Sequence, residues 1–583
     1  MLKEIKFCLY KTRVAVILSS VFCALTVIAQ ESVSDKLNYV LTHLDKREGY
    51  ELYNQITDKD LQQVSDSDLF NYHYLGAYFN SENFTDRPNH EKAVTHLKEA
   101  KRLCETSLGI YLPSYMEIMK ALGDEYLEMK QYEDALHSYQ EGIVKSMAIR
   151  DSNPQYFGSL IMGVQECYEK MGFYSEVPKN LMDAWSFWDK DIEPFDIYNY
   201  YPLWNLCQFY YRYGMYEKAL QINNKIIEFI AQNENNTTPL LLGSEYYYRG
   251  NILVNMGNNE EAFQAYKEGI TLLKAKNCTN DKLYGQLLGN FLSSSGSHNR
   301  EEILKTLEEI KEYGARTNDS EIYKNALYTI INKLNDQGNY NLALNLNQEL
   351  QNQNLSIKEK DIIEKQRESI NYNKEVVLSL PSLEQQFASL QVGSEDWFEA
   401  GHKLSSAYYI QKNNAENLKV LNLMYQLSSN GSSEGQLYHY WILNNLWGVN
   451  YEVGNYDESL KFAQEKIEYM KGLSDIPDSY FLGAVNSLVV SKLKTGKIEG
   501  IDSDLEENRL LSEKLHGASS SNYSIYLHNR GRAYQLQGKL EDAKRTFLEA
   551  INLQNEVAWK TDLKTVSYLI EVEESILEEE LER

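Results

Sequence analysis

The sequence predicts an all-α fold, a right-handed α-α superhelix of about eleven to twelve helix pairs. Three observations carry this expectation. A glycine recurs with a stride of about 42 residues, apolar and small residues flank it at helical spacing, and prolines fall where helices should begin. At 583 residues the chain is longer than one core organises, which favours an extended array. Its 43% hydrophobic and 24% charged residues argue against wholesale disorder. Only nine residues are proline, which suits long helices, because an internal proline costs a helix about 3 kcal/mol.

Residues 1–29 read as a secretory signal peptide. Lys3, Lys6, Lys11 and Arg13 precede an uncharged, largely apolar run from Val14 to Ala29, and Val27 and Ala29 are small enough for the −3 and −1 sites of a signal peptidase. Roughly 18 or more apolar residues would be needed to span a bilayer comfortably, so an uncleaved N-terminal anchor is the weaker alternative. Phe22 before Cys23 speaks against lipid attachment. The expected location is periplasmic or extracellular, with no membrane insertion after cleavage. Removing residues 1–29 takes away four basic residues and Glu4 and moves the formal net charge from −26 to −29. Such a chain repels polyphosphates, which excludes nucleic acid as a partner class. Cys104, Cys167, Cys207 and Cys278 are too few for a disulfide framework; free thiols are expected, with a Cys167–Cys207 pair as the alternative.

The repeat follows. Glycines stand at 172, 214, 257, 296, 338, 454, 496 and 538, and Lys130 and Lys412 fill the same phase. Glycine is the residue that tolerates the left-handed position ending a helix. An aromatic two residues later (Tyr132, Tyr174, Tyr216, Tyr340, Tyr456) would plug the elbow between helices. Alanine at Ala135, Ala219, Ala262, Ala343 and Ala543 would let two helices approach closely. Pro113, Pro154, Pro239 and Pro477 lie 17 to 19 residues before a phase position, where a first helix should start. Ser81–Pro88 reads as a loop insertion. Residues 356–395 match the pattern poorly around Pro381 and read as a degenerate repeat and candidate hinge between arrays at 30–355 and 396–583. From Leu569 to Arg583 an acidic amphipathic helix closes the chain; a cap with a polar outer face is expected, and a self-association helix is the alternative.

This pattern resembles the tetratricopeptide repeat family, in its long form of about 42 residues found in kinesin light chains. The likeness covers most of residues 68–555 and lacks the tryptophan usual early in the first helix. It implies a groove lined by the first helix of each pair, ten, six and three residues before the phase glycine. Those phases carry Trp204, Gln208 and Tyr211, then Tyr247, Asn251 and Val254, with Tyr201 just ahead. Tyr328, Asn332 and Asn335 follow, then Tyr409, Trp441 and Tyr451. Tyr201, Trp204, Gln208, Tyr211, Tyr247 and Asn251 are therefore the candidate partner-binding residues, because rings supply area and amides satisfy a peptide backbone. The alternative is that these rings pack between neighbouring first helices. The basic set with which some family members clamp a C-terminal carboxylate is not recognisable.

No residue pattern points to catalysis. The ten histidines show no metal-ligand spacing, His90 and His96 being the nearest pair, and no phosphate loop or nucleophile signature occurs. The expectation is a non-enzyme without cofactor or metal, an exported scaffold whose groove holds a protein or peptide. A glycan-binding envelope protein and the sensory partner of a separate signalling enzyme are the competing readings. The sequence does not identify the partner or the oligomeric state.

Overall fold

The computed structural model describes residues 32–44, 47–82, 84–85, 87–109, 113–146, 154–188, 201–232, 238–294, 300–429, 433–473, 476–556 and 563–582. The signal peptide lies outside these residues. Among the described residues the fold is an all-α repeat with 27 α-helices, one π-helical turn at Cys104–Leu108 and no strand. The helices are α1 (Val33–Leu41), α2 (Arg47–Tyr53), α3 (Asp58–Leu61), α4 (Asp66–Asn80), α5 (His90–Leu103), α6 (Pro113–Glu128), α7 (Tyr132–Ser146), α8 (Pro154–Met171) and α9 (Glu176–Trp188). They continue with α10 (Tyr201–Arg212), α11 (Tyr216–Gln232), α12 (Pro239–Asn255), α13 (Asn259–Ala275), α14 (Lys282–Ser294), α15 (Arg300–Thr317), α16 (Ser320–Asp336), α17 (Tyr340–Gln351) and α18 (Ile357–Ser389). The last are α19 (Glu395–Ile410), α20 (Asn414–Ser428), α21 (Ser433–Glu452), α22 (Tyr456–Lys471), α23 (Asp478–Thr495), α24 (Ile501–His516), α25 (Ser521–Leu536), α26 (Leu540–Glu556) and α27 (Leu563–Glu582).

The phase positions do what the sequence predicts. Gly172, Gly214, Gly257, Gly338, Gly454, Gly496 and Gly538 all have positive φ, and so do Lys130 (59°) and Lys412 (56°). Gly296 lies outside the described residues. The turn closes by a paired cap. At Gly454 the amide donates to Tyr451 O (3.2 Å) and the Asn455 amide to Asn450 O (2.8 Å), so two carbonyls left over at the helix end gain partners. Pro113, Pro154 and Pro239 open helices and Pro477 precedes one.

Three pairs are locked by a glycine facing a ring. A Cβ on Gly123 would stand 2.3 Å from the Tyr139 ring, one on Gly250 2.3 Å from Tyr266, and one on Gly531 2.5 Å from Phe547. These are the positions seven before and nine after the phase residue, and the glycine sets how closely the helices approach.

Two compact units divide the chain, residues 1–206 and 207–583, with the boundary inside α10. In the first, α1, α2 and α4 share a core of Leu37, Val40, Leu52, Tyr53, Leu75 and Phe79. The second runs through three clusters of buried apolar side chains, centred on α13–α17, on α19–α21 and on α22–α25. Most of residues 356–395 form the single 33-residue helix α18, with Pro381 inside it. The Ser356 and Glu359 capping box starts that helix firmly, and polar side chains along it obscure the repeat pattern.

The last helix, α27, packs on α26 and fully buries Val566, Leu569, Ile570 and Val572. Within the second unit it also returns to the beginning. Lys218 on α11 donates to both carboxylate oxygens of Glu574, at 2.9 and 2.8 Å, across 356 residues of sequence.

Candidate functional site

Helix α10 carries four of the six predicted residues, and the unit boundary separates them. In the first unit Tyr201 and Trp204 are half-buried, their rings 6.5 Å apart and edge-on. Gln208, Tyr211, Tyr247 and Asn251 belong to the second unit and are also half-buried. Tyr211 packs edge-on against Tyr216, and its hydroxyl accepts from Asn255 Nδ2 at 3.2 Å. Tyr247 lies against Tyr248 and Tyr266. These two rings thus spend much of their surface on neighbouring side chains. Greater exposure is found at Tyr328, Tyr409 and Tyr480.

A regular feature of the second unit is the way amides at the predicted groove phases are held. Asn251 Oδ1 accepts from the Tyr266 hydroxyl and from Asn290 Nδ2, both at 2.7 Å. Asn332 Oδ1 accepts from Gln366 Nε2 at 2.6 Å. Asn444 Oδ1 accepts from Lys466 Nζ at 3.1 Å, and Asn486 Oδ1 from Asn508 Nδ2 at 2.6 Å. In each case the oxygen is occupied by the protein, and the NH2 group makes no hydrogen bond among the described residues. The side chains therefore offer donors, which suit the carbonyls of a bound chain.

Two of these amides share a cavity of about 460 Å³ between α21 and α23. It is lined by Tyr440, Asn444, Trp447, Tyr451, Tyr480 and Asn486 together with Ser479, Gly483, Ser487 and Val490, and none of these is charged. Tyr440 and Tyr480 meet edge-on at 6.0 Å, while Trp447 and Tyr451 lie tilted at 5.9 Å. Trp447 Nε1 is held by Ser491 Oγ at 3.0 Å. This tryptophan occupies the position that is glycine at Gly123, Gly250 and Gly531. The partner position, a ring at Tyr139, Tyr266 and Phe547, is here the fully buried Ala463. Bulk has moved from the second helix to the first, which puts an indole in the cavity wall.

Beneath the wall lies Lys466, twelve residues after Gly454 and 1% exposed. Of the equivalent positions, Gly142, Ala184, Ile226, Gly269, Leu350, Met424 and Ala550 are small or apolar, while Glu308 is acidic and Asn508 is an amide, so the lysine is the one cation at this phase. Its ammonium donates to Asn444 Oδ1 and to Ser487 Oγ (3.0 Å) and lies 4.9 Å from the Trp447 ring centroid. Burial pushes it down to about 8, so it remains charged at neutral pH. Sequence reading missed Lys466. The signal was present in the phase alignment, as the one cation at this position.

Other titratable groups are structural in their surroundings. Glu245 is fully buried with one oxygen on Asn223 Nδ2 at 2.9 Å, and burial raises its carboxyl to about 8. His73 and His96 meet at 3.0 Å in the first unit, a pair that sequence spacing hid; burial lowers both, His73 to about 4. No group of three or more His, Cys, Asp or Glu among the described residues could hold a metal ion. Cys104, Cys167, Cys207 and Cys278 are free thiols. No helix among the described residues is long and apolar enough to cross a membrane.

Comparison with known proteins follows the geometry. The tetratricopeptide repeat family model matches residues 246–272 and 525–556, which are the turn-spanning parts of α12–α13 and α25–α26. No curated protein matches the chain. Among solved structures, a putative kinesin light chain from Podosopora anserina with nearly identical TPR-like repeats is 13% identical, with 40% of this chain and 95% of that chain covered and a TM-score of 0.28. A Rap protein complexed with competence and sporulation factor is 14% identical, over 66% of this chain and 99% of that one, with a TM-score of 0.27.

Proposed function

Because the chain is a tetratricopeptide repeat protein, we propose that it acts as an exported, non-catalytic scaffold that holds a protein or peptide along the first helices of its repeats. The observation that carries this reading is the set of amides at Asn251, Asn332, Asn444 and Asn486, each with its oxygen tied back and its donors left over. An extended chain presents carbonyl acceptors at regular intervals, and a row of fixed donors beside aromatic rings satisfies them at little entropic cost. Export rests on residues 1–29, and it places the mature N-terminus at Gln30 in the periplasm or outside the cell.

The test is affinity capture from envelope extract with the mature protein, beside Trp204→Ala/Tyr247→Ala and Asn444→Ala/Asn486→Ala versions. A protein captured by the native chain and lost by either double variant supports the scaffold. Retention on polysaccharide with no captured protein defeats it in favour of glycan binding. N-terminal sequencing of the exported protein tests the cleavage site.

A further inference from the structure

The second unit contains a buried positive charge with neutral partners only. Lys466 reaches from α22 between α21 and α23, and its hydrogen-bond partners, Asn444 Oδ1 and Ser487 Oγ, are both walls of the same cavity. No carboxylate among the described residues pairs with it. Burying an ammonium is unfavourable unless something returns the lost solvation, and two neutral oxygens and an indole face return only part. The repeat does not need a lysine here, since Gly142, Gly269 and Ala550 fill the equivalent position with an apolar contact.

The charge has an outward expression. By donating to Asn444 Oδ1, Lys466 fixes the direction of that amide and polarises its NH2 group, which is left to the cavity. The Ser487 hydroxyl donates its hydrogen bond to Gly483 O at 2.9 Å, so it offers no second donor. Asn486, pinned by Asn508, adds another NH2 group to the same cavity. Around these donors stand Tyr440, Trp447, Tyr451 and Tyr480, and no acidic side chain lines the space. A volume of about 460 Å³ falls in the range of roughly 300–1,000 Å³ typical of small-ligand sites.

We propose that the cavity between α21 and α23 is an anion subsite for a single carboxylate carried on an apolar or aromatic body, received by the Asn444 and Asn486 amides with Lys466 as the counter-charge behind them. This deepens the groove reading and rests on it. A polyanion is disfavoured, because the chain carries a formal net charge of −26 and would repel it at longer range. The same chemistry could come from a peptide chain end or from a free small acid.

The test uses three probes on the full mature protein, by titration calorimetry: N-acetyl-phenylalanine, its amide N-acetyl-phenylalaninamide, and the peptide N-acetyl-Gly-Gly-Gly-Phe with a free C-terminus. The free acid should bind at least tenfold more tightly than the amide. Lys466→Met should abolish that preference, and Tyr480→Ala should weaken both small probes alike. Tighter binding of the peptide than of the free acid assigns the subsite to a chain end; equal binding assigns it to a small acid. Equal affinity for acid and amide, a preference that survives in Lys466→Met, or no binding by any probe overturns the proposal. Circular dichroism confirms that Lys466→Met is folded, and the Tyr480→Ala arm does not depend on the buried site. Capture of a protein without carboxylate preference removes the subsite and leaves the scaffold. Binding of the small acid with no captured protein does the reverse.

Discussion

Glu245 gives a prediction whose size follows from the structure. Its carboxyl is fully buried on α12, with Oε2 bonded to Asn223 Nδ2, while Oε1 and Asn223 Oδ1 have no partner. Both orphaned atoms are acceptors, so a proton on the carboxyl supplies the donor that is missing. Burial raises the group from 4.5 to about 8 in the folded chain. Between these values the folded state keeps a proton that the unfolded state has released. The stabilisation is therefore complete below about pH 4.5 and is lost as pH rises toward 8. The slope is about 1.4 kcal/mol per pH unit, and the total is on the order of 5 kcal/mol. Cys207 and Tyr248, the titratable groups that sense Glu245, are both raised and so do not titrate in this window. Glu245→Gln keeps the shape, supplies an N–H for Asn223 Oδ1 and removes the titration. Urea unfolding of native and variant chains at pH 5, 6, 7 and 8 should show midpoints that converge at pH 5 and separate progressively, the native falling. Parallel curves with a constant offset would refute the argument.

Further expectations concern packing and caps. Lys466→Met should raise the urea midpoint at pH 7, because an ammonium lowered from 10.5 to about 8 costs on the order of 3 kcal/mol below both values; the gap should narrow as pH rises from 8 to 10.5. Gly250→Ala drives a methyl into the Tyr266 ring and should cost about 1–3 kcal/mol in the same assay. Lys412→Gly relieves a side chain held at φ 56° and should stabilise by about 1 kcal/mol, with Lys130→Gly behaving alike. Thiol titration of the denatured mature chain without reductant should count four free groups.

The repeat was legible in the sequence because its requirements are local. A left-handed residue, a plug two positions on and a small residue facing a ring each leave a fixed residue type at a fixed interval, and Lys130 and Lys412 stood out through phase alone. Residues 356–395 match the repeat poorly because most of them form one continuous helix, α18, which runs through Pro381. The candidate site was legible only in outline. Groove phase named Tyr211, Tyr247 and Asn251, but whether a ring faces solvent or its neighbour depends on the next pair's side chains, which phase does not encode. The Trp447 and Ala463 exchange and Lys466 beneath it required reading departures from the repeat as signals, with the two helices aligned against each other.

In a stacked array each pair feels its neighbours, and a cut at one end should be silent at the other. The Lys218–Glu574 contact breaks that rule within residues 207–583. Both groups are more than a third exposed, so the bond contributes little to stability, about 0–1 kcal/mol, and fades as salt rises. The pair brings two stretches 356 residues apart into direct contact within one unit, a closure that repeat-to-repeat stacking alone does not require, and its strength falls as salt screens it.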